Sequence, residues 1–154
     1  ERDRADFTIR RLSRHRMAAV LPEDHPLASK KTIKISALAG ERWTSLSDAL
    51  CPGRRAFLRG ICTAAAFEPD IVSEVDSLSL ILGAVATGEG IAILPEHTQK
   101  LPHTGCVFVK LAAPVPMTEL LLVLPHQEQS REIATLTTLI TEHADKVAAA
   151  WTDH

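Results

Sequence analysis

Three observations predict an α/β fold for this chain. Short apolar runs such as MAAVL, RWTSL and IAIL alternate with segments of helical spacing such as CPGRRAFLRGICTAAAF. Several of the runs stop at a proline or a glycine turn, as buried strands of an alternating fold do. The composition, 45% hydrophobic and 23% charged over 154 residues, suits one ordinary domain or two small lobes with a real core. Strands that alternate with helices favour a largely parallel sheet.

In chain order, Met17 to Leu21 is an apolar run ended by Pro22, a buried strand. Asp24-His25-Pro26 is turn chemistry. Thr32 to Ile35 alternates, and Ser36 is placed to cap a single helical turn closed by Gly40. Arg42 to Leu46 is a second strand. The helix after it has Pro52 near its start, with Phe57, Ile61 and Ala64 or Ala65 on one face. Glu68-Pro69-Asp70 breaks the chain before strand Ile71 to Val75. A helix from about Ser77 to Thr87 is apolar on every side and leads into strand Ile91 to Leu94, a pairing that fits a sheet buried on both faces. Gly83 would let helix and sheet approach closely, and Gly88 would take the left-handed conformation after the helix. Cys106 to Leu111 and Glu119 to Leu124 are further strands. Ile133, Leu136, Ile140, Val147 and Trp151 share one face of a last helix, expected to pack on a core.

Charge and motif content narrow the function. Net charge is −2, so no overall basic footprint for nucleic acid exists, and the one basic cluster, Arg10, Arg11, Arg14 and Arg16, is read as a solvated face. No apolar run reaches the roughly 18–20 residues of a membrane span, and the charged first residues are no secretory signal. Cys51, Cys62 and Cys106 form no CxxC pair, which suits a reducing cytoplasm and small buried hydrophobes. No catalytic elbow, zinc-protease helix, P-loop or dinucleotide glycine motif is present, and no cofactor is implied. His97 and His103 are poorly spaced for a metal. Cys51 before a helix, or Asp24-His25, lacks the partners that would make an enzyme.

Binding is the remaining class. In open α/β folds ligands sit beyond the carboxyl ends of strands, where helix amino termini favour anions. Two strands end that way here. Arg42 to Leu46 delivers Thr44, Ser45 and Ser47, and Ile71 to Val75 delivers Asp76 and Ser77. Thr44, Ser45, Asp76 and Ser77 are therefore the candidate ligand-binding residues. A negative charge at Asp76 opposes a carboxylate, so Asp76 is expected to cap the helix or meet a ligand hydroxyl. A helix cap alone would also explain Asp76 or Ser77.

The order His25-Pro26-Leu27-Ala28, Ala37-Leu38-Ala39-Gly40-Glu41 and Gly88-Glu89-Gly90-Ile91-Ala92-Ile93-Leu94-Pro95 resembles the effector-binding domain of LysR-type transcriptional regulators, from about Arg11 onward. The resemblance implies a periplasmic-binding-protein-like (type 2) fold, two lobes joined by two crossover strands, with a small inducer, expected to be a carboxylate, bound between them. Residues 1–24 would be the remainder of the first lobe and the first crossover, 25–105 the second lobe, and 106–154 the second crossover and the return to the first lobe. The family's winged helix-turn-helix, and the opening half of its first lobe, have no counterpart here. The chain thus reads as a fragment with an incomplete first lobe, prone to association. The parent would be a homodimer or homotetramer that meets DNA only through the missing amino-terminal domain, and no membrane is involved. A carrier or sensor of the same fold without a DNA role is the competing reading.

Overall fold

A computed structural model describes residues 7–125 and 130–152, with side chains through residue 144. The elements are β1 (Phe7–Pro22), β2 (Thr32–Ile33), β3 (Arg42–Leu46), α1 (Arg54–Thr63), β4 (Asp70–Val75), α2 (Leu78–Ala86), β5 (Ala92–Pro95), β6 (Cys106–Leu111), β7 (Met117–Pro125) and α3 (Arg131–Thr152). Two compact units divide them. One spans Arg16–Met117; the other takes the described residues before Arg16 and after Met117.

In the larger unit β1 lies between β5 and β6, and β2 joins the far side of β6. The expected parallel sheet is corrected here. β1 runs antiparallel to both neighbours, with Ala19 opposite Ile93 and Val109, while β2 with β6 and β3 with β4 are parallel. The reason is topological. β5 and β6 return from long excursions and enter the sheet from the opposite end to β1. A single parallel bridge, Trp43 to Ile91, ties β3 to the start of β5.

The sheet is covered on both faces, which is why its strands read as nearly continuous apolar runs. Met17, Ala19, Leu21, Trp43, Ile91 and Ile93 pack with Leu58 and Cys62 of α1. Val20, Ala92 and Leu94 pack with Ile81, Leu82 and Val85 of α2. Alternate residues of β1 and β5 thus serve different cores, as the pleat requires. α2 itself is not enclosed on every side, since Leu80 is 57% exposed.

Several local expectations shift. Lys34, not Ser36, precedes the 3-10 turn Ile35–Leu38, and Ser36 lies inside it. The buried face of α1 is Arg54, Leu58 and Cys62, one residue beyond the expected stripe, with Phe57 and Ile61 only partly covered. Gly83 faces open space. The close approach belongs to Gly90, where an added Cβ would stand 2.9 Å from the Arg42 carbonyl oxygen. Gly88 does take positive φ, 76°, after α2.

In the smaller unit β7 pairs with β1, and Arg11 and Arg14 both reach Glu119, at 3.2 and 3.8 Å. The expected packed face of α3 is turned outward at Ile133 and Leu136, 44% and 56% exposed. Periodicity identifies an apolar face but not the surface that receives it, and of this one Ile140 is half-buried. Val147 and Trp151 lie outside the described side chains. No helix among the described residues is long and apolar enough to cross a membrane.

Candidate functional site

The carboxyl ends of β3 and β4 lie side by side, Leu46 opposite Val75, so the residues that follow them converge. Ser47 donates its hydroxyl to Asp76 Oδ1 at 2.6 Å and its amide to the Val75 carbonyl at 3.0 Å. Ser77, in extended conformation, accepts the Leu80 amide on its Oγ at 3.2 Å and so caps α2. At α1, where the N-cap is Gly53, Asp48 reaches over from the preceding loop and accepts the Arg55 amide at 2.8 Å. Two helix amino termini, each with an early amide held by a side chain, and one Ser–Asp bridge therefore follow the ends of these two strands. Asp76 is not the cap; it holds Ser47.

Thr44 and Ser45 are buried, at 1% and 0% exposure. Ser45 donates its hydroxyl to the Leu46 carbonyl at 3.1 Å. The Thr44 hydroxyl has no hydrogen-bond partner and lies 3.2 Å from where a Gly90 Cβ would stand. Of the four candidates, Asp76 is exposed, Ser77 half-buried, and Thr44 and Ser45 buried.

Arg54 is the residue that sequence reasoning passed over. It is 8% exposed, donates Nη2 to the Ile93 carbonyl and stands 5.5 Å from the Phe57 ring centroid. No carboxylate among the described residues pairs with it, whereas neighbouring Arg55 has Glu74 at 2.7 Å. Burial pulls the Arg54 guanidinium below its ordinary pKa, partly offset by Cys51, yet a guanidinium keeps its charge in proteins. One signal was available. Arginine in the first turn of a helix opposes the helix dipole, so a pair of them there breaks a local rule.

A shallow cavity of about 220 Å³ lies at the opposite end of β3, lined by His25, Glu41, Arg42 and Gly88 among others. Its polar groups already serve each other. The Leu27 amide donates to His25 Nδ1, so the ring proton is on Nε2, 3.2 Å from Glu41 Oε1. Arg42 donates to the Gly88 carbonyl at 3.2 Å. This is a stapled turn rather than an open set of donors. No cluster of three metal-ligating side chains occurs among the described residues, and His103 Nδ1 lies 2.7 Å from the Leu101 carbonyl.

Comparison with known proteins gives consistent results. Residues 1–145 match the family described as the LysR substrate binding domain. An uncharacterized HTH-type transcriptional regulator of Escherichia coli K12, YnfL, is 30% identical over 74% of this chain, which spans 39% of that relative. BenM of Acinetobacter baylyi is 27% identical over 86% of the chain and 45% of its own length. The chain thus spans less than half the length of these curated relatives. Among solved structures, the QuiR effector-binding domain with shikimate superposes with a TM-score of 0.81 at 20% identity, covering 95% of this chain and 69% of that one. That likeness carries the periplasmic-binding-protein-like fold. On the match over residues 1–145, the chain belongs to the LysR substrate binding domain family.

Proposed function

We propose that this domain senses a small anionic metabolite by reversible, non-covalent binding at the carboxyl ends of β3 and β4. The observation that carries the reading is the convergence there of two helix amino termini with Ser47, Asp76 and Ser77. Such ends favour anions through unpaired N–H groups and the dipole. The solved relatives QuiR and BenM were captured with shikimate and benzoate, both carboxylates, which supports the same ligand class here.

In this reading Ser77 contacts the effector directly, Thr44 meets it through its buried, unpartnered hydroxyl, Ser45 supports the strand behind, and Asp76 receives a ligand hydroxyl or holds Ser47. The longer regulator works in the cytoplasm as a homodimer or homotetramer and meets DNA through a domain outside this chain. Binding controls DNA contact only if the effector prefers one arrangement of the regulator over another. Catalysis has no part in it.

The test is titration with the cognate effector of an effector domain extended to the full length of its relatives. Thr44→Val and Ser77→Ala are each expected to cost about 1.5–3 kcal/mol, roughly tenfold to more than a hundredfold in affinity. Ser77→Ala also removes a helix cap worth about 1 kcal/mol of stability, so the fold of each variant is checked by melting. Unchanged affinity in both folded variants would sink the assignment of this wall.

A further inference from the structure

The parallel ladder between β3 and β5 stops after one bridge. The Ile91 amide donates to the Arg42 carbonyl at 2.7 Å, and the Thr44 amide to the Ile91 carbonyl at 2.8 Å. Continued by one step, the Leu46 amide would donate to the Ile93 carbonyl. The Arg54 guanidinium takes that carbonyl instead. The side chain that opens α1 is therefore a wedge between the carboxyl ends of two neighbouring strands. α1 leads from β3 to β4 on one side, and the chain after β5 leads toward β6 on the other. The wedge stands where the connections diverge, the place at which open α/β sheets form a crevice.

The donors of this guanidinium are not used up. Its Nε is sealed from solvent without a partner, and Nη2 is the nitrogen that meets Ile93, so the fork keeps donors to spare. A buried cation without a carboxylate is costly, and its position in the first turn of α1 adds an unfavourable dipole. A planar anion on those spare donors relieves both, because a guanidinium and a carboxylate match as two parallel hydrogen bonds.

We propose that Arg54 is the anion-holding group of the domain, taking the carboxylate of a small effector on the spare donors of its guanidinium between the carboxyl ends of β3 and β5. The proposal rests on the reading that the domain binds a small anionic metabolite, and it names the charge that the hydroxyl cluster lacks.

The experiment uses the 154-residue chain labelled with nitrogen-15 and titrated into the millimolar range with acetate and benzoate. Acetamide and benzamide serve as neutral counterparts. The buried Arg54 Nε–H signal is expected to shift saturably with both acids and with neither amide. Saturable shifts at the Ser47 and Ser77 amides with a motionless Arg54 signal overturn this inference and leave the hydroxyl cluster standing. A spectrum in which neither Arg54 nor the cluster responds overturns both. For benzoate, Arg54→Met is expected to lose affinity by about tenfold or more, and Arg54→Lys by less, since it keeps the charge and loses the fork. A folded Arg54→Met chain that binds benzoate as the parent does also overturns the proposal. If that variant fails to fold, the Nε–H titration of the unaltered chain decides.

Discussion

At Gly90 a methyl group would meet the Arg42 carbonyl carbon and oxygen at 3.1 and 2.9 Å, and neither can move without breaking the bridge from β3 to β5. Gly83 sits inside α2, and a methyl group there would find nothing within 4 Å. The two glycines therefore predict opposite outcomes in urea denaturation. Gly90→Ala should lower stability by about 1–3 kcal/mol, as overpacking does. Gly83→Ala should raise it by about 0.5–1 kcal/mol, because alanine restores helix propensity at no steric cost. Equal effects at the two positions would contradict this assignment of the close approach. The sequence shows a glycine at each site; it does not show which neighbour stands opposite. An apolar helix makes Gly83 the natural candidate, whereas the constraint falls where two strands bridge.

At the scale of elements, strand spans were more legible than helix faces. β3 and β6 lie where the runs Arg42 to Leu46 and Cys106 to Leu111 placed them, since both ends are marked by turn residues or polar breaks. The span of α1 was legible too, but its inward face is Arg54, Leu58 and Cys62, because a helix so short lets the sheet choose among overlapping stripes. That face makes a prediction about thiols. Burial, helped by Glu68, pushes the Cys62 thiol up to about 11, and burial raises Cys106 as well. Iodoacetamide at mildly alkaline pH should label half-exposed Cys51 first and spare the other two until the chain unfolds. The pH dependence follows. Below pH 9, the ordinary value for the group, Cys62 is protonated in both folded and unfolded chains and its contribution is level. Above it the unfolded chain ionises first, so stability falls as pH rises toward about 11. Cys62→Ala should flatten that part of the profile, and a profile unchanged by the substitution would reject Cys62 as its source.

For the whole molecule, charge is the readable quantity. With a net charge of −2, and with Arg11 and Arg14 both near Glu119, the basic cluster on β1 is no continuous cationic surface. This polypeptide by itself is expected to show no sequence-specific duplex binding in a gel shift at physiological salt, and a discrete operator footprint would overturn that expectation. Much of the architecture was visible in the residues, through the alternation of strands and helices and the three motifs in register. The direction of β1 was not. Apolar runs say that a strand is buried, but whether its neighbours run with it or against it depends on connections made tens of residues away. The same limit hid Arg54, whose partner Ile93 is distant in sequence and belongs to another strand.

That direction has a consequence during synthesis. β1 leaves the ribosome well before its two neighbours in the larger unit, Ala92–Pro95 and Cys106–Leu111. At about 5–20 residues per second, the apolar run from Met17 to Leu21 waits several seconds for either of them. Through that interval both of its backbone edges lack their eventual partners, and the nascent chain carries a sticky strand with nothing yet made to cover it. The central strand of the sheet is thus a long-lived liability on the ribosome, and a segment from whose cover a holding chaperone has much to gain.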